Sequence, residues 1–469
     1  MRRSRERVRR TLIAALVAVH AAGFALAITD EEIFRDLRFN FINPGGRSLG
    51  MGGAFISLAN DATAAQANPA GLTTLLSPQL FVEIRSAEAD PIMTVRNFRN
   101  PIDADEGFDV LVLTEQERVL SPSFFSYVVP RNRWAFAFSR QEVINTENRT
   151  DSTYEFVFGD ESDLRRAIGA IDLELIHWNA SVAYRVSDAF HVGATVSYGT
   201  FDLSSGVVNS YVDPGGTLIG DPGLAGVPFE MYRTTSDDGD SDLALTLGLL
   251  WAPARRVNLG LTYRDGGRFD VVETLKANPI DPALVPGMIA SQVFFNESGT
   301  LLTPTNDTFA FTTRFHVPDV LGGGASWRPI DRLTLSLDAV YIRYENLVEG
   351  FNSRLNVLTA GFENESDASF TIDNQTNLHL GAEYVFRPGG GTQVLLRGGY
   401  HQDKDNRLRA SFAPGGFGVG SSDNFPGRGN VDHYSLGLGV VVGNHLQLDT
   451  ALDHSEFGIE GVLSWIYKF

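Results

Sequence analysis

In this 469-residue chain the side chains suited to chemistry fall into three groups. The first is four arginines, Arg185, Arg264, Arg314 and Arg397, each able to clamp a ligand carboxylate or to pair with the chain's own Asp338, Glu383 and Asp449. The second is large apolar residues inside polar stretches. VPFEMY supplies Val227, Phe229 and Met231, and DPALVPGMIASQVFF supplies Val285, Met288, Ile289 and Val293 at helical spacing, followed by Phe294 and Phe295. Left open, they make a groove for an apolar ligand; packed on one another, they make a lid. The third is nine histidines, which are dispersed and form no HExxH or histidine–carboxylate cluster at metal-ligand spacing. There is no cysteine, hence no thiol nucleophile, disulfide or thiolate metal site. No catalytic centre, metal or cofactor is expected. The acidic runs DKDN (403–406) and SDDGDSD (236–242) read as solvated loops, the second with at most weak affinity for Ca²⁺.

Strands must position these residues. Beyond residue 27 no segment is apolar enough for a transmembrane helix, whereas period-two alternation recurs throughout. ELIHWNASVAYRV aligns Ile176, Trp178, Ala180, Val182 and Tyr184; LALTLGLLW aligns Leu243, Leu245, Leu247, Leu249 and Trp251. Charges take the other parity, at Arg185, Arg264, Asp338, Glu383, Arg397 and Asp449. A soluble core does not leave one face of every strand polar, but a barrel with lipid outside and a wet lumen does. Tight turns at 129–133, 186–190, 252–256, 328–332, 387–392 and 442–446 alternate with long polar connections near 89–120, 146–170, 207–239, 276–306, 349–371 and 405–430. The pattern predicts fourteen strands, near 77–88, 121–130, 132–145, 171–187, 189–206, 240–253, 255–275, 306–328, 332–348, 372–387, 392–404, 431–443, 445–456 and 458–469. Both ends and all six tight turns fall on the periplasmic side. The fold class is all-β, a fourteen-stranded antiparallel transmembrane β-barrel.

The ends agree. Residues 1–27 combine an arginine-rich start, a short apolar run and Ala25-Leu26-Ala27, the anatomy of a cleaved signal peptide. GIEGVLSWIYKF puts Leu463, Trp465, Tyr467 and Phe469 on one face. This terminal aromatic strand resembles the sorting signal of bacterial outer-membrane barrels, which implies the barrel-assembly machinery as a partner through Phe469. A net charge of −19 argues against nucleic acid as a partner. A monomer facing outer-membrane lipid and lipopolysaccharide is expected.

Between the signal peptide and the barrel (77–469) lie residues 28–76, rich in glycine and alanine. GGRSLGMGG lacks the ending and spacing of a phosphate loop, and small residues suit a plug packed inside a barrel. GRSLGMGGAFISLANDATAAQANPAGL, with Asn68-Pro69-Ala70 near its end, resembles the N-terminal hatch of the FadL/TodX outer-membrane transporters. Residues 317–341, 379–403 and 434–440 are similar to that family in style. The resemblance implies passive uptake of long-chain fatty acids or other hydrophobic small molecules, through a loop groove, a lumenal pocket, a moving hatch and a lateral opening at a kink in the third strand. In this chain that strand, WAFAFSRQEVI, has neither Gly nor Pro to cause a kink. PorV-like barrels, which share such N-terminal motifs and act as protein-secretion partners, are the alternative.

Overall fold

The computed structural model describes residues 41–89, 92–99, 107–116, 119–158, 161–212, 230–277, 294–295, 301–302, 308–349, 369–389, 391–405, 408–411 and 429–469. Residues 1–40, among them the expected signal segment 1–27, lie outside them. Fourteen antiparallel wall strands follow one another: β1 (Gln79–Ala89), β2 (Val119–Arg131), β3 (Trp134–Phe158), β4 (Glu161–Arg185), β5 (Phe190–Val212), β6 (Glu230–Ala254), β7 (Val257–Arg264 and Arg268–Ala277), β8 (Thr308–His316 and Val320–Ile330), β9 (Leu333–Ile342), β10 (Gln375–Gly389), β11 (Thr392–Asp403), β12 (Val431–Val442), β13 (Leu446–Ser455) and β14 (Gly458–Lys468). Each pairs with the next, and β1 closes the ring on β14 in the register Gln79↔Lys468 to Ala89↔Gly458.

The outward parity is the one the alternation predicts. Leu243, Leu245, Leu247, Leu249 and Trp251 of β6 are all exposed, while Ala244, Thr246 and Leu250 point inward and are buried. Trp134, Trp251, Trp327, Phe386 and Tyr467 ring the barrel near its tight turns, and Trp178, Tyr198, Tyr263, Tyr341 and Tyr434 ring it higher up. These are two aromatic girdles bounding an apolar band.

The long strands depart from the expected ranges. β3, β4 and β6 have 25 residues and β5 has 23, whereas crossing a bilayer takes roughly 9–11. Much of the expected connections 146–170 and 207–239 is therefore strand rising above the membrane. In the expected 89–120 connection, Ile92–Arg99 and Gly107–Gln116 form a hairpin whose second strand pairs with Asn148–Tyr154 of β3. Above the band the pattern inverts: Ile171, Leu173 and Leu175 of β4, with Phe201 and Leu203 of β5, face inward and are buried, and Asp172 and Asp202 face out. Water replaces lipid outside, so the greasy face moves to the interior.

Residues 41–76 pack against the inner wall. They form α1 (Gly46–Leu49), α2 (Ala64–Ala67) and a 3₁₀ helix (Pro69–Thr74), too short to persist without tertiary contacts. Met51, Phe55, Leu58 and Leu72 cluster with wall residues Phe81, Phe124, Ala135 and Ala183. At Gly193 and Gly248 a Cβ would overlap Pro69 and Asn68, so the wall has glycine where the segment touches its backbone.

Candidate functional site

Carboxylates of the wall hold the N-terminal segment. Arg47 of α1 donates through Nε and Nη2 to the two oxygens of Glu383, at 2.9 and 3.1 Å, and reaches Asp61 at 3.4 Å. Burial works against the Arg47 charge, yet Glu383 and Asp61 more than offset it and raise its pKa above the ordinary value. Arg397 continues the chain of charges, donating to Glu383 at 2.9 Å and Asp449 at 2.6 Å. Asp338 accepts the backbone N–H groups of Phe55 and Ile56 at 2.6 and 2.8 Å, and Glu83 accepts that of Gly45. Buried carboxylates are stable here because each meets cationic or N–H donors.

The Asn68-Pro69-Ala70 stretch is a fully bonded corner. Asn68 Oδ1 accepts from Ala70 N–H at 3.2 Å, capping the 3₁₀ helix, and Nδ2 donates to the carbonyls of Ile56 and Leu249 at 3.1 and 2.9 Å. Pro69 occupies the first helical position, where a missing N–H costs nothing.

The four arginines have different fates. Arg397 is consumed by the ion pairs above. Arg185 donates to the carbonyls of Thr73 and Asn132 at the periplasmic end. Arg314 is not lumenal: it is exposed and pairs with Asp270 at 2.7 Å. The breaks at 265–267 in β7 and 317–319 in β8 switch which parity faces inward, and a uniform period of two misses that switch. Arg264 faces inward and donates through Nη2 to the Gln66 carbonyl at 3.2 Å. With its amide turned to suit its neighbours, Gln66 also accepts from Arg264 Nε at 3.2 Å and donates to Gln141 Oε1 at 2.8 Å. Among the described residues no carboxylate lies within ion-pair distance of Arg264.

Above this polar floor the inward-facing side chains form a buried apolar cluster, termed the chamber here, that sequence reading did not identify. Phe201 stacks on Phe269 with centroids 5.2 Å apart and meets Phe315 at 4.9 Å. Ile171, Leu173, Leu175, Val271 and Val317 complete its sides, and Tyr344 and Leu347, from the turn Tyr344–Leu347 after β9, fold in over it. Its floor is His177, Gln141 and Arg264: His177 and Phe269 both abut Gly199, and Leu175 stands one inward position above His177. The signal was the inversion of parity after Ile176 in AIDLELIHW. Of the loop residues proposed from sequence, Val227, Phe229, Val285, Met288, Ile289 and Val293 lie outside the described residues. Met231 belongs to β6, and Phe294–Phe295 pair with Leu301–Leu302 as a short hairpin. A shallow groove of about 600 Å³ along Trp327, Leu337, Leu380 and Tyr400 opens on the lipid side, away from the chamber.

The wall ladder is interrupted twice beside the chamber. Between β2 and β3 backbone pairing ends at Phe124↔Gln141, and a register shift between Glu142 and Ile144 leaves Val143 as an extra, buried residue. The third strand is thus irregular without Gly or Pro, since a β-bulge requires neither. Between β6 and β7 pairing stops after the bond from Asp265 N–H to the Leu245 carbonyl and resumes at Ser236↔Glu273. Across that interval Asp238, Asp240 and Asp242 accept the N–H groups of Val272, Asp270 and Arg268, each at 2.8 Å. The acidic run expected to be a solvated loop is a row of carboxylates standing in for backbone acceptors. The histidines are also less scattered than in sequence: β10, β11 and β12 place His379, His401 and His433 side by side.

Comparison with known proteins bears on this arrangement. A crystal structure of a Pseudomonas aeruginosa FadL homologue is similar at 16% identity and TM-score 0.58, over 92% of this chain and 99% of that one. The Ralstonia pickettii toluene transporter TbuX (15%, TM-score 0.53) and the Pseudomonas putida toluene transporter TodX (13%, 0.51) each align over 92% of this chain and 99% of theirs. At such identities the likeness concerns the fold. No curated protein sequence matches. The model of the family described as outer membrane protein transport protein (OMPP1/FadL/TodX) matches residues 40–407. The chain therefore belongs to the FadL/TodX family of outer-membrane transport proteins, non-enzymatic transporters of hydrophobic compounds.

Proposed function

We propose that this chain takes up long-chain fatty acids, without an energy source, by way of the apolar chamber. The observation that carries the reading is Arg264, a half-buried, inward-facing guanidinium with no carboxylate partner among the described residues, at the floor of a chamber walled by Leu175, Phe201 and Phe269. An acyl chain suits the phenylalanine and leucine surface, and its carboxylate supplies the anion that Arg264 otherwise lacks. The N-terminal segment acts as a hatch below, and the two interruptions of the wall are the weak places through which a ligand leaves the lumen. The test is uptake of radiolabelled oleate and of toluene by Gram-negative cells lacking their own transporter. Arg264→Gln should lower oleate uptake at least tenfold and leave toluene uptake unchanged, whereas Arg264→Lys should retain part of it. Equal loss of both solutes, or no oleate uptake by the unaltered protein, would overturn the fatty-acid reading.

A further inference from the structure

We infer that the outer rim of the lumen carries a binding site for a divalent transition-metal ion of the imidazole-preferring class, ligated by His401, Asp403 and His433. The inference is independent of the fatty-acid reading.

Strand geometry assembles the site. His401 and Asp403 are two apart on β11 and so share the inward face. His433 is the register partner of His401 on β12, at a spacing where side chains on one face of a sheet touch. One donor atom from each of the three lies within 4.8 Å of the others. Three ligands on one zinc ion, at about 2.0–2.2 Å from the metal, stand about 3.3–3.5 Å apart. Small rotations of the rings and the carboxylate close that difference.

Protonation states point the same way. His433 Nδ1 lies 2.6 Å from Asp453 Oδ2, whose other oxygen accepts from Ser435 at 2.5 Å. A carboxylate only accepts, so Nδ1 carries the proton and, in a neutral ring, Nε2 keeps a lone pair. That Nε2 faces Asp403 Oδ2 at 3.7 Å, too far for a hydrogen bond. A histidine that ligates metal through one nitrogen commonly donates the other N–H to a carboxylate, and Asp453 stands in that position toward His433.

The second observation is His401 itself. Its residue is 1% exposed, yet neither ring nitrogen has a hydrogen-bond partner among the described residues. Buried imidazole nitrogens are ordinarily satisfied. The nearest charge, Asp453, is 3.9 Å from Nδ1. On its far side His401 stacks on His379, whose Nδ1 donates to the Gly52 carbonyl at 2.7 Å. A bound ion would thus sit one ring away from the N-terminal segment. Imidazole with carboxylate suits Zn²⁺, Ni²⁺ and Cu²⁺ better than Ca²⁺ or Mg²⁺, and three protein ligands leave a fourth position for water.

The test uses the full-length, tag-free protein in detergent, stripped with chelator and titrated with Zn²⁺ by calorimetry, with bound zinc counted by elemental analysis. One Zn²⁺ per chain is expected, with affinity falling at least tenfold in His401→Gln, His433→Gln and Asp403→Asn and unchanged in Asp432→Asn, which faces outward. Each variant is checked for the heat-modifiable migration of a folded barrel. If buried His401→Gln fails that check, His433→Gln and Asp403→Asn decide. No stoichiometric binding to the folded unaltered protein, or undiminished affinity in folded His433→Gln and Asp403→Asn, would overturn the assignment.

Discussion

Arg47 and Glu383 meet through two parallel hydrogen bonds, 2.9 and 3.1 Å long, across the boundary between the N-terminal segment and the barrel wall. Both are largely sequestered from water, and Glu383 is shared with Arg397. Such a contact serves as a latch: a planar fork fixes direction as well as distance. Breaking a buried pair from one side costs about 3–5 kcal/mol, because the charge left behind has no partner. Arg47→Gln should therefore free the segment while leaving the wall's own Arg397–Glu383 pair in place. The expected result is higher conductance in planar bilayers with heat-modifiable migration retained. Conductance equal to that of the unaltered protein would show that the latch does not hold the segment in the lumen.

Asn68 gives a second, independent handle. Its side chain makes three hydrogen bonds, one of them to the carbonyl of Leu249 in β6. Asn68→Ala leaves buried carbonyls unsatisfied, at about 1–3 kcal/mol each. Gly248→Val attacks the same corner from the wall, because any Cβ there meets Asn68 and Pro69. Both variants should expose residues 70–76, just beyond the corner, to limited proteolysis, and their effects should not add, since they disturb one contact. Additive effects would mean that two separate anchors are involved.

The wall was legible in sequence because lipid imposes one rule on every strand it touches. Leu243, Leu245, Leu247, Leu249 and Trp251 could face only one way. Where lipid ends, the rule changes: Ile171, Leu173 and Leu175 continue the alternation on the opposite parity and look like more of the same strand or like loop. The chamber was hidden for that reason. Arg314 was misplaced because two three-residue breaks switch parity without any change of composition. The three aligned histidines were invisible because register between strands, here His379↔His401↔His433, is not written in spacing along the chain.

The chamber itself can be tested without touching the latch. Leu173 is 1% exposed and lies beside Leu203, its register partner, on the inward face that also carries Phe201. Leu173→Asn places an amide in that surface and should lower uptake of both oleate and toluene at least tenfold, since either must cross it. This differs from Arg264→Gln, which should discriminate between them. Unimpaired uptake by folded Leu173→Asn would place the path elsewhere.

The carboxylate row between β6 and β7 makes a prediction about local dynamics. Asp238, Asp240 and Asp242 hold the N–H groups of Val272, Asp270 and Arg268 at 2.8 Å, where a continuous sheet would offer carbonyls. A side chain reaching across keeps two strands farther apart than a direct ladder does, so the wall there is closed by three charge-assisted bonds and not by backbone pairing. Such a bond contributes about 1.5–3 kcal/mol, enough to slow amide exchange roughly ten- to a hundredfold. The triple variant Asp238→Ala, Asp240→Ala, Asp242→Ala should accelerate exchange at residues 268–272 by that factor and leave Leu259–Arg264, which pair directly with β6, unaffected. The outward-facing Asp237→Ala serves as the control and should change nothing. If the triple variant exchanges as slowly as the unaltered protein, the strands have zipped together backbone to backbone, and the carboxylates act as spacers that keep this part of the wall from closing.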